Sequence, residues 1–356
     1  MSKLTKGEIM NKLNKIGVSA LCGSLAAISA ANAGDLTVTG GADVTYFSHG
    51  GAVTGNPFGM ASAVTFKGSG ELDNGWTFAA TIASGDGHAY SAANVDLVMG
   101  GLGSINFNQG NSGNGIAAYD NVLPTAWEES HGAGLSGGVK TVLGVGSSDN
   151  IQYSLPKFLG TEIKVAYAFD PGTSDTADKA AKSSATRTDR GYDATVKINP
   201  SLGTEILSGL NLYAGASTIE NQSNGNADGA GDKYEGVGAI TYALGPVEVG
   251  AMWSGLTDGT NDAGYHTYKN HGFGVAFNVN DDLSVSYGEY QSRKAGYDGS
   301  QDATGEANRV VEVTSWQAAY TMGGASFRVA DVKADNVLFS AGANQAATIV
   351  SMSLAF

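Results

Sequence analysis

Phe273-Gly274-Val275-Ala276-Phe277-Asn278-Val279-Asn280-Asp281-Asp282 sets a large apolar side chain at every second position and then stops on a polar turn. Successive residues of an extended chain point to opposite faces, so this period of two lays all four large groups on one face. The same alternation runs through Trp76, Phe78, Ala80 and Ile82, through Val247, Val249, Ala251 and Trp253, and through Val350, Met352, Leu354 and Phe356. It recurs at Leu36, Val38, Val44 and Tyr46, at Ile163, Val165, Tyr167 and Phe169, and at Tyr192, Ala194, Val196 and Ile198. Each string reads as one face of a strand of about ten residues.

The connections between strings alternate in size. Short ones carry turn residues: Asp73-Asn74-Gly75, Gly100 to Gly103, Gly245-Pro246, Asn280 to Asp282 and Met322-Gly323-Gly324. Long ones are polar and rich in glycine: residues 49–59, 85–91, 110–138, 170–189, 220–232, 255–268, 295–308 and 333–347. Sixteen strands fit this rhythm, the sixth starting near Val139 in a stretch that Gly144 and Gly146 interrupt. Short turns on one rim and long loops on the other are what an even-stranded barrel across a membrane requires. The expectation is a single all-β domain, a 16-stranded antiparallel transmembrane β-barrel spanning 34–356.

Composition bounds the alternatives. The 356 residues hold 52 Gly, roughly twice the usual share, which excludes a long-helix or coiled-coil protein. A formal charge of −14 argues against nucleic acid as a partner, because phosphate contacts need clustered Lys and Arg. The hydrophobic fraction is 42%, enough for a folded chain, yet few apolar runs are long enough to build an interior.

Residues 1–33 read as a cleaved secretory signal. Lys3, Lys6, Lys12 and Lys15 form a basic start, Ile16 to Ile28 a short apolar stretch, and Ala31-Asn32-Ala33 a small-residue cleavage site. About 13 apolar residues fall short of the roughly 20 that span a bilayer as a helix. Removing four Lys and one Glu takes the charge from −14 to −17, and Cys22, the single cysteine, goes with them. With no disulfide possible, stability must come from continuous backbone pairing.

A soluble or surface-anchored β-rich adhesin would alternate too. Two features oppose it. No segment supplies a second layer to cover sixteen apolar faces, and Tyr46, Trp76, Phe169, Tyr192, Trp253, Tyr287, Trp316 and Tyr320 sit near strand ends, where interfacial girdles form.

Three stretches carry a family resemblance. Phe356, with apolar residues at 354, 352 and 350, resembles the last strand and assembly signal of the general porins of Gram-negative outer membranes. Asp149 to Gly160 is similar to that family's sixth-strand pattern of Asn, Tyr, Pro, Phe and Gly. Tyr119-Asp120-Asn121-Val122-Leu123-Pro124, followed by Trp127-Glu128-Glu129, resembles the third loop, which in the family folds into the barrel. The resemblance implies a homotrimer of barrels in the bacterial outer membrane, each with a water-filled pore narrowed by the 110–138 loop. It implies passive diffusion of ions and small hydrophilic solutes. A solute-selective porin, with an aromatic track through the lumen, is the alternative within transport, and it is disfavoured because most aromatics fall on the lipid register.

Strand parity then assigns the lumen. With Val64 and Phe66 outward, Thr65 and Lys67 face inward, and so do Asp43, Asp96, Asn106, Asn108, Gln152, Glu162, Lys164, Asp193, Lys197, Glu248 and Arg328. Asp120, Glu128 and Glu129 are the expected acidic side of the constriction, and Lys67, Lys164, Lys197 and Arg328 the expected basic wall. Family members commonly set an arginine cluster against the loop acids. This chain has 5 Arg, of which only Arg328 falls mid-strand in this reading, so a mild cation preference is expected.

Asn224, Asn226, Asp228, Gly229, Asp232 and Glu235 match positions 1, 3, 5, 6, 9 and 12 of a calcium loop. The first ligand is Asn and the flanks are strands, so a solvated outer loop is the competing reading; no other cofactor is implied. Enzyme chemistry finds no support. His49, His88, His131, His266 and His271 fall in loops or at strand ends in this reading, without a serine and acid at a recognisable spacing. Metal-protease, paired-cysteine and phosphate-loop motifs do not occur.

Overall fold

The computed structural model describes residues 34–356 apart from 51–55, 86–89, 110–112, 136, 147, 170–189, 201–204, 221–231, 258–265 and 297–308. The signal-like segment 1–33 therefore lies outside the described residues. Sixteen strands form one closed antiparallel barrel. They are β1 (Leu36–Gly50), β2 (Phe58–Glu71), β3 (Thr77–Ser84), β4 (Tyr90–Val98), β5 (Ser104–Gln109), β6 (Asn150–Ser154), β7 (Thr161–Ala168) and β8 (Gly191–Ile198). The second half comprises β9 (Leu210–Ile219), β10 (Lys233–Leu244), β11 (Val247–Thr257), β12 (His266–Asn278), β13 (Leu283–Gly296), β14 (Arg309–Met322), β15 (Ala325–Asp335) and β16 (Gln345–Ala355).

Every strand pairs with its sequence neighbours, and β1 closes on β16 from Gly41↔Ala355 to Gly50↔Ala346. The seam is completed by reciprocal bonds at 2.9 Å, Gly40 N–H to the Phe356 carbonyl and Phe356 N–H to that of Gly40. Closure matters because lipid offers no partner for a free edge. The short turns share one rim and the longer connections the other, as the sequence rhythm requires.

The two faces are inverted relative to a soluble sheet. Trp253, Phe273, Trp316, Tyr320 and Val350 are exposed, whereas Asp193, Asn270, Ser315, Gln317 and Ser351, of the opposite parity, are buried. Apolar side chains therefore point out of the barrel and polar ones into it. No helix among the described residues is long and apolar enough to cross a membrane, and the strands do the crossing.

One element departs from the sequence reading. The sixth strand starts at Asn150, not near Val139, so the third long connection runs from 110 to 149 and not to 138. Val142 and Val145 are fully buried, Val142 in a cluster with Ile116 and Val237 and Val145 in one with Ala166 and Ala168. Gly144 has φ +48°, incompatible with an extended chain.

The buried apolar residues gather where the long connection meets the wall. Ile116, Tyr119, Leu123 and Val142 of the long connection pack with Val237, Ala239, Met252 and Tyr290 of the wall. Farther along, Ala133 and Leu135 join Val311, Val313, Val332, Phe339 and Ile349.

Candidate functional site

The 113–149 segment begins after β5, makes one 3₁₀ turn over Gly115–Tyr119 and then runs as irregular chain. Irregular backbone carries amides that must find acceptors, and here the inward-facing side chains of the wall supply them. Asp193 Oδ2 accepts from Ile116 N–H at 2.8 Å and Val145 N–H at 3.1 Å. Glu235 Oε2 accepts from Leu143 N–H at 2.6 Å and Gly144 N–H at 2.8 Å. Gln152 takes Gly115 N–H at 2.8 Å, and Ser286 takes Ala126 N–H at 2.8 Å. Gln317 binds in both directions: its Oε1 accepts from Trp127 and Glu128 N–H at 3.1 and 3.0 Å, and its Nε2 donates to the Glu128 carbonyl at 2.8 Å.

Two glycines make the first of these contacts possible. Gly115 and Gly144 both have positive φ, and a Cβ on either would run into the Asp193 carboxylate. A side chain there would break the approach even if the backbone could tolerate it.

The same segment presents three acids. Asp120, Glu128 and Glu129 are half-buried, and Glu128 and Glu129 share a hydrogen bond. Burial pushes the Glu128 carboxyl up to about 7; Glu129 adds to the rise, and Arg328 opposes it. Burial, with Glu129 assisting, pushes Asp120 up to about 6, although its Oδ1 accepts Asn121 N–H at 2.7 Å. His131, stacked on the Tyr290 ring at 4.5 Å, is lowered by burial, with Glu129 opposing.

The four expected basic residues do not form one cluster. Arg328 stands near Glu128, but its guanidinium is hydrogen-bonded to Asp43 and, at 2.8 Å, to Ser351 Oγ, and it lies 4.9 Å from the Trp127 ring centre. Lys197 sits opposite Glu162 in the β7–β8 register and 5.3 Å over the Tyr213 ring. Lys164 is two residues along the same face, and Lys157 pairs with Glu162 at 2.6 Å. Lys67 lies between Thr37 and Thr81, on β2. Arg293 also lies within a strand, β13, but its partners there, Lys269 and Val310, put it on the outer face. His271 likewise is inside β12 and points outward, not at a strand end.

Of the calcium-like set, Asn224, Asn226, Asp228 and Gly229 lie outside the described residues. Asp232 accepts from the Tyr234 hydroxyl at 3.3 Å. Glu235 instead turns into the barrel, where Lys233 at 2.5 Å joins the two loop amides around its carboxylate. Among the described residues, no group of three or more His, Cys, Asp or Glu is placed to hold a metal ion. Gln317 and Ser286 escaped the sequence reading as anchors; their inward parity was visible, but not what they would meet.

A closed 16-stranded barrel, apolar outside and polar inside, belongs to the class of outer-membrane channels. The chain is a member of the Gram-negative porin family, whose model matches residues 17–355. No curated protein sequence matches it. Among solved structures it is similar to the anion-selective porin of Comamonas acidovorans, at 15% identity and TM-score 0.60, covering 90% of this chain and 99% of that one. It is also similar to OmpT of Vibrio cholerae, at 10% identity and TM-score 0.64, covering 93% and 100%. OmpF of Salmonella typhi, in complex with daunomycin, gives 13% identity and TM-score 0.65 over 91% and 98%. The protein is thus an outer-membrane β-barrel channel for small solutes, of a family of non-enzymatic channels, and the adhesin reading is not favoured.

Proposed function

We propose that the 113–149 segment constricts the pore and that the channel passes ions and small hydrophilic solutes by passive diffusion with a mild preference for cations. The observation that carries the preference is a local imbalance of charge. Asp120, Glu128 and Glu129 of the segment remain as a surplus, because the nearby Arg328 is already paired with Asp43 of the wall. Fixed charge in a narrow, weakly polarisable passage selects by sign, so a surplus of carboxylates concentrates cations there. Lys164 and Lys197 share the single carboxylate Glu162 with Lys157, so they keep a net positive patch on the β7–β8 wall, apart from the acids of the segment.

The likeness to an anion-selective porin is one of fold alone and does not bear on the sign. Reversal potential across a planar bilayer in a salt gradient tests it. A cation-signed potential that weakens in the Glu128→Gln, Glu129→Gln double variant is expected; an anion-signed one, or one indifferent to the double variant, defeats the reading.

A homotrimer is the proposed working form. Its support is membership of the Gram-negative porin family, the resemblance to which implies that assembly. Conductance rising in steps of three from single insertions is the expected sign, and solitary unit steps would count against it. Calcium binding by the 220–232 connection is left out of this reading, because Glu235 is committed to the loop amides.

A further inference from the structure

The connection between β15 and β16, residues 336–344, reaches into the barrel from the long-loop rim and meets the 113–149 segment. Leu338 N–H donates to the Gly137 carbonyl at 2.7 Å. The two chains lie close beside that bond: a Cβ at Gly138 would come within 2.6 Å of Leu338 Cδ2 and 3.2 Å of its Cα. Gly137 and Gly138, at φ +60° and +80°, supply a bend with no side chain in the way.

The turn is held in a conformation that its own residues resist. Asn336, Leu338 and Phe339 have φ of +53°, +56° and +60°, the left-handed region that leucine and phenylalanine avoid. Such backbone persists only where surrounding contacts over-determine it. Here they do so at both ends. At the base, Asn336 Nδ2 donates to the Val310 carbonyl at 3.0 Å, its Oδ1 accepts Gly342 N–H at 3.1 Å, and Val337 N–H donates to the Ala343 carbonyl at 2.8 Å. At the tip, Phe339 is buried, its ring 5.7 Å from that of Tyr268 and 6.0 Å from Lys294 Nζ.

The part of the segment that this turn touches is held differently from the rest. Elsewhere Asp193, Glu235, Ser286 and Gln317 accept from segment amides. Between Ala133 and Gly138 the wall offers apolar surface, with Gly134 against Phe47 and Ile349 and Gly137 against Val311 and Val313. Apolar contact is non-directional and lets a chain slide, whereas a hydrogen bond fixes one register.

We propose that the 336–344 turn is a strap that positions the far half of the segment: Phe339 anchors it, and Leu338 N–H pins Gly137 and so sets how far the segment projects into the lumen. The inference rests on the reading of the 113–149 segment as the constriction. Phe339 and Leu338 are positioning residues, acting on the pore through Gly137.

Planar-bilayer recording of the mature protein tests the strap through open-channel current noise and through the largest polyethylene glycol that enters the pore and lowers its conductance. Phe339→Ala removes the anchor. Losing the hold of one neutral hydrogen bond shifts an equilibrium about fivefold, so excess noise should rise by about that factor and the polymer cut-off should move to longer chains. Phe339→Leu, which refills the site, should restore both. Replacing residues 337–342 by two glycines removes the strap without altering the segment or the wall; it should act like Phe339→Ala, and it serves if that variant fails to fold. Parent-like heat-modifiable gel migration shows that the barrel is intact in each. Parent-like noise and cut-off in Phe339→Ala or in the shortened turn overturns the strap. Asp193→Ala, which frees the segment at another point, tells this apart from failure of the constriction reading: added noise in Asp193→Ala alone overturns only the strap, and noise and cut-off unchanged in all of these variants defeats the constriction as well.

Discussion

Arg328 on β15 is bonded to Asp43 on β1, two strands away across the closure of the barrel. The guanidinium also bonds Ser351 of the intervening β16 and lies against Trp127 of the long connection. One cation thus ties the seam to the segment proposed to narrow the pore, and its charge is largely spent on Asp43. Removing either partner should therefore move selectivity in opposite directions. Arg328→Gln leaves Asp43 uncompensated and should raise the cation-to-anion permeability ratio; Asp43→Asn should lower it. A unit charge about 7 Å from the ion path in water is worth about RT, so each shift should be about two- to threefold, read from reversal potentials. Shifts of the same sign in both variants would show that Arg328 is not compensated by Asp43.

Cation preference should also fall with acidity, and at an unusual pH. Ordinary carboxylates titrate near 4, but burial holds Glu128 at about 7 and Asp120 at about 6. A carboxyl with a raised pKa is charged only above that value, so its contribution is complete at pH 8 and fades as pH drops through 7 and then 6. Reversal potentials between pH 8 and 5 should show most of the loss above pH 5.5. Glu128→Gln should abolish the upper part of that titration and spare the lower, and a loss confined to below pH 5 would mean that both acids are in free contact with water.

Strand parity was legible because a barrel wall has one apolar and one polar face, and Phe273 to Val279 announces that in seven residues. Parity also placed Asp43, Asp193 and Arg328 inward correctly. What it could not give is the pairing of inward residues. Asp43 and Arg328 are 285 residues apart, and nothing local marks them as partners. The error at the sixth strand has a physical source as well. Apolar residues of the 139–148 stretch imitate a lipid-facing strand, yet Val142 and Val145 serve an interior packing that exists only once the loop lies on the wall.

The carboxylates Asp193 and Glu235 should act as latches for that packing. Asp193→Ala leaves the buried amides of Ile116 and Val145 without acceptors, at a cost of about 1–3 kcal/mol each. The expected phenotype is a channel that still inserts but shows increased open-state noise and a lower unfolding temperature in detergent. Gly144→Val should reproduce it from the other side, since its Cβ displaces the same carboxylate. Quiet, parent-like openings in both variants would show that the segment is held by its apolar contacts alone.

Val329 and Thr65 separate the two faces by experiment. Val329 is 40% exposed, points outward and sits between Ala318 and Val350, within the apolar band. An arginine there must enter lipid, costing about 2–4 kcal/mol near the midplane. Val329→Arg should therefore lower the denaturant midpoint of folding into bilayers without altering ion selectivity in the molecules that fold. Thr65 faces the lumen beside Thr39 and Ala83, where an added guanidinium remains in water. Thr65→Arg should fold like the parent and shift the reversal potential toward anions. The pair is informative because the substitution is the same and only parity differs. Equal destabilisation by both would mean that the lumen at Thr65 is closed to water, and a selectivity change from Val329→Arg alone would invert the assignment of the faces.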